Sequence, residues 1–569
     1  MKKIIFLSLL FILFSCNSIQ TEDKLNAIIE SYENYEKDSK KKFPLGDYRE
    51  SHFENYARFC DSLKTVLEKI DQKKLNEDAR ISYTLLNFSL NETVIKFQFK
   101  AHWNPILSDA GFHSSLTYRV RPIVSKKGAL DYLKILKAIP DYIQKQSELI
   151  KKGLNAGMGQ PLVIFKGYES TYEQHITDTA EENFYYSPFL KLPNPISTFE
   201  KDSLRKAAEE VIMNDVVSSF KAVKMFFEET YYPQTRTKLG VSETPNGKAY
   251  YQSRIDYYTT LKMTPQQIHE IGILEVSRIK KQMENILKEV KFKGSIPDFI
   301  EFLRTDPQFY PKTPEELLMF ARSVAKKLDE QLPRFFKTLP RKPYGVAPVP
   351  SSIAPKYTAG RYIGTSKEST DPGYYWVNTY DLPSRPLYSI PSLTAHEAVP
   401  GHHLQGALNN ELPENIPQFR KNLYLSAYGE GWGLYCEYLA NEMNIYTTPY
   451  EHFGKLTYEM WRACRLIVDT GIHSFGWTRE QSVDFMAKNT ALSLHEINTE
   501  VDRYISWPGQ ALAYKIGEIK IRELRKKAEK VLGENFDIRD FHEVILEKGT
   551  VTLPLLEERI LNYIEKSKT

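Results

Sequence analysis

His396-Glu-Ala-Val-Pro-Gly-His-His403 is the stretch on which the reading of this chain turns. The common zinc-hydrolase pattern is His-Glu-x-x-His: two imidazoles four residues apart share one helix face, and the glutamate beside the first activates the metal's water. Here the position four after His396 is Pro400, and the next imidazoles are His402 and His403. On an unbroken helix His403 would share the face of His396 but stand about 10.5 Å further along the axis. That is too far for two nitrogens each about 2.0–2.1 Å from one ion. The spacing therefore demands a local interruption. Pro400 lacks an amide hydrogen and Gly401 tolerates unusual backbone angles, so the residues for one are present. A two-residue bulge brings His402 to the place of the usual second histidine. His403 then becomes a supporting or substrate-facing residue, although the spacing alone leaves either imidazole open as the ligand.

A zinc site of this kind takes a third protein ligand, usually a carboxylate from another helix. The candidate lies in Ser426-Ala-Tyr-Gly-Glu-Gly-Trp-Gly-Leu-Tyr-Cys-Glu437. Glu430 stands between glycines in an apolar, aromatic segment, where a carboxylate is costly unless it is paired. Metal ligation would compensate it; capping of a neighbouring helix would do so too. Glu437 is an alternative ligand, a carboxylate supporting one, or an exposed helix residue. Three other His-Glu pairs, at His269, His495 and His542, have no second histidine nearby and read as structural or surface residues.

The rest of the chain supplies the setting. Its 569 residues, 41% hydrophobic and 26% charged, are enough for one large core or two to three lobes. A net charge of +4 gives no reason to expect nucleic acid or an acidic membrane surface as partner. Lys40 to Lys42 and Arg522 to Lys530 read as solvated faces. Lys2 and Lys3 precede the apolar run Ile4 to Phe14, too short to span a bilayer permanently. Leu13-Phe-Ser-Cys16 closes that run and resembles the lipobox of bacterial lipoproteins, which makes Cys16 the lipidated first residue of the mature chain. An ordinary secretory signal is the alternative; both predict export. Cys60, Cys436 and Cys464 remain, with no Cys-x-x-Cys pair to hold zinc by thiolates. A Cys436–Cys464 bridge is permitted in an exported protein.

Helical spacing of apolar residues recurs over 50–70, 128–152 and 200–228. Thr264-Pro-Gln-Gln267 and Thr313-Pro-Glu-Glu316 each place a cap hydroxyl, a proline at the first helical position and an acceptor at the third. Thr478-Arg-Glu-Gln481 repeats the box without the proline. Two regions break the helical pattern: 236–260, with the aromatic, β-prone Tyr250 to Tyr258, and 340–395, with Tyr374-Tyr-Trp-Val-Asn-Thr379 as a strand. A small sheet beside the His396 helix follows, with an edge open to an extended peptide or covered as a hairpin. The expected division is a signal peptide over 1–16, an N-terminal helical lobe over 17–260 and a C-terminal helical lobe over 261–569.

Four motifs in one order carry a family resemblance: HEAVPGHHLQ from His396, YGEGWGLY from Tyr428, Asp469-Thr-Gly-Ile-His-Ser-Phe-Gly-Trp-Thr-Arg-Glu480, and Arg503-Tyr-Ile-Ser-Trp-Pro-Gly-Gln-Ala-Leu-Ala-Tyr-Lys-Ile-Gly517. Together they resemble the bacterial "domain of unknown function 885" family from about residue 250 to the C-terminus, and more loosely before it. That family is similar in pattern to helical zinc peptidases such as thimet oligopeptidase and angiotensin-converting enzyme. Dipeptidyl peptidase III resembles it in having a lengthened metal helix with glycine before the second histidine, which aligns Gly401-His402.

The resemblance implies a mainly α fold of two helical lobes around a deep cleft, with the small sheet beside the metal helix. It implies one Zn2+ on His396, His402 and Glu430, and Glu397 as general base. His473 or Tyr514 would donate to the oxyanion, and Arg503 would bind a substrate carboxylate. His403 and Asn378 are the further expected substrate contacts. The expected activity is hydrolysis of short peptides by an exported enzyme, lipid-anchored and facing the periplasm. The alternatives are a peptide-binding lipoprotein with a degenerate or structural metal site, and a zinc hydrolase of a non-peptide amide. Glu397 separates the first from an enzyme, because a binding module has no need of a base beside its ligand.

Overall fold

The computed structural model of the protein describes residues 21–35, 37, 42–351, 353–365 and 369–568. The signal segment 1–16, its Cys16, and Lys40 and Lys41 lie outside the described residues. The chain is mainly helical, with one three-stranded sheet. Contacts divide it into two units, one of residues up to Tyr250 with Ile505–Trp507, the other of Tyr251–Tyr504 with Pro508–Thr569.

In the first unit the expected helix over 50–70 is Glu50–Leu67. The span 128–152 is two helices, Lys126–Lys137 and Ile139–Asn155, because Pro140 fits a first turn but not a helix interior. The third helical region, Thr198–Val211 and its continuation, is widened by two π-type segments at Ile212–Val217 and Phe226–Tyr231. The second of these feeds an aromatic core in which Phe227 packs against His113, Tyr168, Tyr172 and Tyr231.

The chain passes from the first unit to the second within α1 (Gly247–Thr259). The β-prone reading of Tyr250 to Tyr258 is thus corrected. Tyr251, Arg254, Ile255 and Thr259 are the buried positions, and their spacing is helical. The aromatic content suggested strand, but the period decided. Next come α2 (Pro265–Glu289) and α3 (Pro314–Phe335). The Thr264–Gln267 box closes in both directions. At Thr313 only the hydroxyl side forms, and the Glu316 carboxylate accepts from the Lys312 amide instead.

The sheet has the order β1 (Tyr344–Pro348), β3 (Gly373–Val377), β2 (Gly360–Ile363). β1 runs parallel to β3, and β2 antiparallel to it with Arg361 opposite Trp376 and Tyr362 opposite Tyr375. Tyr375 and Val377 are fully buried, whereas Tyr374 and Trp376 on the other face are half-buried.

Then follow α4 (Ile390–Glu397), α5 (His402–Asn410), α6 (Ser426–Leu439), α7 (Pro449–Ser474), α8 (Leu494–Ser506) and α9 (Ala513–Leu532). Glycines set the crossing of α6 and α9. A Cβ on Gly431 would fall 2.6 Å from the Gly517 Cα, and one on Gly517 would fall 2.0 Å from the Ala427 carbonyl oxygen. Both motif glycines are therefore helix-contact residues, and their close approach fixes the height and rotation of the helix that carries Glu430. Lys515, fully buried, ties α2, α7 and α9 together through Glu275 (2.9 Å), Glu459 (3.0 Å) and Glu518 (2.8 Å). Its ammonium fills the space among these three carboxylates, so they form an ion-pair core and not a second metal centre. Cys436 and Cys464 are buried free thiols; the permitted bridge does not form.

Candidate metal centre

The motif helix is split rather than bulged. α4 ends at Glu397, the backbone turns away at Ala398 (ψ −112°), Val399–Pro400 is a cis peptide bond, and α5 starts at His402. Gly401 makes the turn possible by its lack of a side chain. A Cβ there would lie 1.8 Å from the His396 carbonyl oxygen and 2.5 Å from that of Ala395. The carbonyl freed at Pro400 accepts from the Trp432 indole at 2.9 Å, which ties the break to α6. Gly401→Ala is accordingly expected to cost about 3 kcal/mol or more, since main chain must shift to admit the methyl group. Thermal unfolding of the variant checks this, and a Tm equal to that of the parent contradicts the reading.

The break turns His402 back onto His396. Their rings lie 4.7 Å apart at 85°. From α6, Glu430 brings Oε2 to 3.5 Å from His396 Nε2 and 3.4 Å from His402 Nε2. Each of the three residues offers one ligand atom within 4.8 Å of the others. Two atoms each about 2.05 Å from an ion at a tetrahedral angle stand roughly 3.3 Å apart. The two distances to Glu430 match that edge, and the two-imidazole, one-carboxylate donor set suits zinc.

Glu430, Gly433 and Glu437 share one face of α6. The His396 ring lies over Gly433, where a Cβ would meet it at 2.7 Å. Its Nδ1 hydrogen-bonds Glu437 Oε1 at 2.8 Å, which leaves Nε2 for the centre. Glu437 is held in turn by the Ser392 hydroxyl at 2.8 Å and by Arg462 at 3.3 Å. Of the roles left open for it, Glu437 is placed for the supporting one, a carboxylate hydrogen-bonded to the far nitrogen of the His396 ring. Burial works to raise its pKa, but Arg462 and His396 prevail and hold it below the ordinary value. The same opposition holds at Glu430, where burial is overcome by His396 and His402 and the carboxyl stays well below the usual range. Burial disfavours the His396 cation, yet Glu430 and Glu437 push its pKa up to about 9 in the metal-free protein.

Glu397 is buried beside the trio, and its Oε2 accepts from the Tyr362 amide on the open edge of β2 at 2.9 Å. Among the described residues its other oxygen accepts no hydrogen bond. The strand edge is thus neither free nor hairpin-covered at this point. The Glu397 carboxylate occupies it.

Several expected contacts fall elsewhere. His403, expected to face substrate, is 1% exposed. It packs between Tyr344 and Tyr362, and its Nδ1 pairs with the Tyr362 hydroxyl at 3.1 Å. Burial lowers its pKa to about 4, so it stays neutral, and its work is to hold β2 against α5. Asn378 is also fully buried. Its amide donates to the carbonyls of Ala354, Tyr357 and Thr358 and its oxygen accepts from the Tyr380 amide, which spends the side chain on loop structure and leaves none of it for substrate. His473 gives Nε2 to the Tyr504 carbonyl at 2.9 Å and packs on Tyr251. Arg503 is clasped by Glu500 and by Gln510 at 2.7 Å. Tyr514 is different: it is half-buried, its ring lies under Arg465, and its hydroxyl has no hydrogen-bond partner among the described residues. Electrostatically it shares a neighbourhood with Glu430 and Glu397, since all three act on the Tyr424 hydroxyl, which donates to Glu430 Oε1 at 3.0 Å.

Tyr362, Tyr424, Arg462 and Arg361 also stand around these residues, and nothing in their local sequence marks them; Trp432 lies in the Tyr428–Tyr435 motif, but its bond to Pro400 is not legible there. The seven-residue spacing of Glu430 and Glu437 across Gly433 was the one signal that could have found the buried support of His396.

A helical protein with a broken two-histidine helix and a carboxylate from a second, glycine-packed helix is the class these elements define. The chain belongs to the DUF885 family of bacterial proteins of unknown function, whose profile matches residues 35–560. It is similar to a candidate lipoprotein from Colwellia psychrerythraea of known crystal structure, at 27% identity over 96% of this chain and 97% of that one, with a TM-score of 0.85. A candidate lipoprotein of unknown function from Shewanella oneidensis shares the fold, at 17% identity, 90% and 92% coverage and a TM-score of 0.70. No curated protein matches the chain. Among the described residues no helix is long and apolar enough to cross a membrane.

Proposed function

We propose that this protein is a zinc-dependent peptidase that cleaves short peptides, exported and held at a bacterial membrane by a lipid on Cys16. The convergence of His396, His402 and Glu430 within ligand distance of one another is the observation that carries the reading. Zinc, when bound, lowers the pKa of a coordinated water and polarises a carbonyl. The chain's own residues do the rest. Glu437 holds the His396 ring with Nε2 forward, and the Tyr362 amide holds one oxygen of Glu397, leaving the other without a hydrogen bond among the described residues. Glu397 takes the proton of the attacking water and passes it to the leaving amine. Tyr514 supplies a hydroxyl donor for the carbonyl oxygen as negative charge grows there.

The likeness to thimet oligopeptidase and angiotensin-converting enzyme, and with it a deep cleft that admits only short or unfolded chains, is part of this proposal. The lipobox pattern at Cys16 and the two lipoprotein-like neighbours support the anchored location. A peptide mixture incubated with zinc-loaded protein, with chelator-treated protein and with the chelated sample resupplied with zinc tests the activity by mass spectrometry. Cleavage in the first and third samples alone is expected. No cleavage in any of them overturns the proposal.

A pH dependence follows from His396. Its pKa of about 9 in the metal-free protein, against 6.5 ordinarily, means that the folded state holds a proton the unfolded state has lost in that interval. The stabilisation is complete below about 6.5 and is lost as pH rises through about 9. Zinc must displace this proton, so its affinity is expected to rise with pH up to about 9 and then flatten. At pH 7 binding should release about one proton, measurable by calorimetry in buffers of differing ionisation enthalpy. Zinc binding with no proton release contradicts the assignment.

A further inference from the structure

We infer, on the footing of the proposed peptidase, that Arg361 receives the free C-terminal carboxylate of the peptide, so that cleavage is directed to the carboxyl end. Arg361 precedes the residue whose amide holds Glu397, and it projects from the opposite face of β2, exposed, with Trp376 as its cross-strand neighbour. The other arginines around the centre each already have a carboxylate partner. Arg462 pairs with Glu437 at 3.3 Å, Arg465 with Glu500 at 2.8 Å and Arg503 with Glu500 at 3.0 Å. The Arg361 guanidinium has no hydrogen-bond or ion-pair partner among the described residues. It nevertheless lies in the field of the site. Partial desolvation acts against its charge, but Tyr357, Glu397, Tyr514 and Glu430 attract it and raise its pKa.

Geometry leaves room for an anionic ligand there. Glu430 faces the metal position, Glu437 has Arg462 and Glu397 rests on the Tyr362 amide, while among the described residues no anion is in contact with the five N–H donors of Arg361. A peptide interior carries no backbone charge, and an amino terminus would be repelled. A terminal carboxylate matches the planar fork of a guanidinium in both charge and shape. Arg503, the residue the sequence suggested for this work, is already engaged.

The test uses one peptide sequence with a free or an amidated C-terminus. Binding is followed by fluorescence anisotropy on Glu397→Gln protein with and without Arg361→Gln, and cleavage on the parent, Arg361→Gln and Arg361→Lys. The acid form is expected to be favoured about 10- to 100-fold where Arg361 is present, the scale of a charge-assisted hydrogen-bond pair. Arg361→Gln should bring the ratio to within about threefold, and Arg361→Lys, a point charge without the fork, should fall between. An exposed residue without partners is not needed for folding, and melting curves of both variants check that. Equal use of acid and amide with Arg361 present, or a preference that survives Arg361→Gln, overturns the inference. So does an amidated peptide with a C-terminal glutamate side chain that matches the acid form. Acid-selective binding that depends on Arg361 but is followed by no cleavage leaves the inference standing and removes the peptidase. Cleavage of both forms at equal rates does the reverse.

Discussion

Glu397→Gln is expected to lower kcat/KM for peptide cleavage by about 10³-fold while the protein keeps one zinc per chain and its melting temperature. The separation of effects comes from how Glu397 is held. One oxygen accepts from the Tyr362 amide at 2.9 Å, and the carbonyl of glutamine can accept the same bond. The amide remains in place but cannot take a proton, and loss of a positioned general base costs about 10²–10⁴ in rate. Glu397 is not among the three residues whose ligand atoms converge, so metal content should hold. Steady-state kinetics with metal analysis of the same samples makes the check. A variant that cleaves as fast as the parent removes Glu397 from the chemistry, and one that loses its zinc makes it a ligand.

Glu430→Ala should have the largest effect on the metal itself. It removes a carboxylate that faces both imidazoles, at 3.5 and 3.4 Å, and takes from the Tyr424 hydroxyl its Glu430 acceptor. Zinc affinity is expected to fall by more than the 10- to 100-fold typical of a residue that only supports a ligand. Glu437→Gln provides the internal standard. It stands behind His396 at 2.8 Å, so its loss should cost about 10- to 100-fold and no more. Competition titration with a zinc-binding dye ranks the two. Equal losses, or a greater one in Glu437→Gln, contradict the assignment of Glu430 as ligand and Glu437 as the support of His396.

Much of this centre was legible because the sequence breaks a rule in a way that carries its own remedy. The six-residue gap from His396 to His402 required an interruption, and Pro400-Gly401 lay inside the gap to make one. Its form was not legible. A two-residue bulge was the simplest geometry, whereas the structure ends one helix and begins another, with the Trp432 indole closing the exposed carbonyl. That partner comes from more than thirty residues downstream, and no local pattern reports it. The glycines of the Tyr428–Tyr435 motif were conspicuous, but their purpose depends on what packs on them: Gly431 meets Gly517, and Gly433 makes room for the His396 ring.

Misreadings came from judging residue type without environment. Tyr250 to Tyr258 looked strand-like by aromatic content and is a helix by period. Asn378, expected at substrate, is a buried structural residue, and His403 takes the supporting place rather than the substrate-facing one. Arg503, open to a substrate carboxylate or a salt bridge from sequence, is in the salt bridge, whereas Arg361, ordinary in its sequence context, has no ion-pair partner among the described residues.

The central claim is that the broken helix closes His396 and His402, and not His403, on one ion together with Glu430. Anomalous diffraction at the zinc edge from crystals grown with zinc tests it most directly. The account predicts one strong peak about 2.0–2.1 Å from the Nε2 atoms of His396 and His402 and within ligand distance of the Glu430 carboxylate. A peak on His403, or none among these residues, would contradict it.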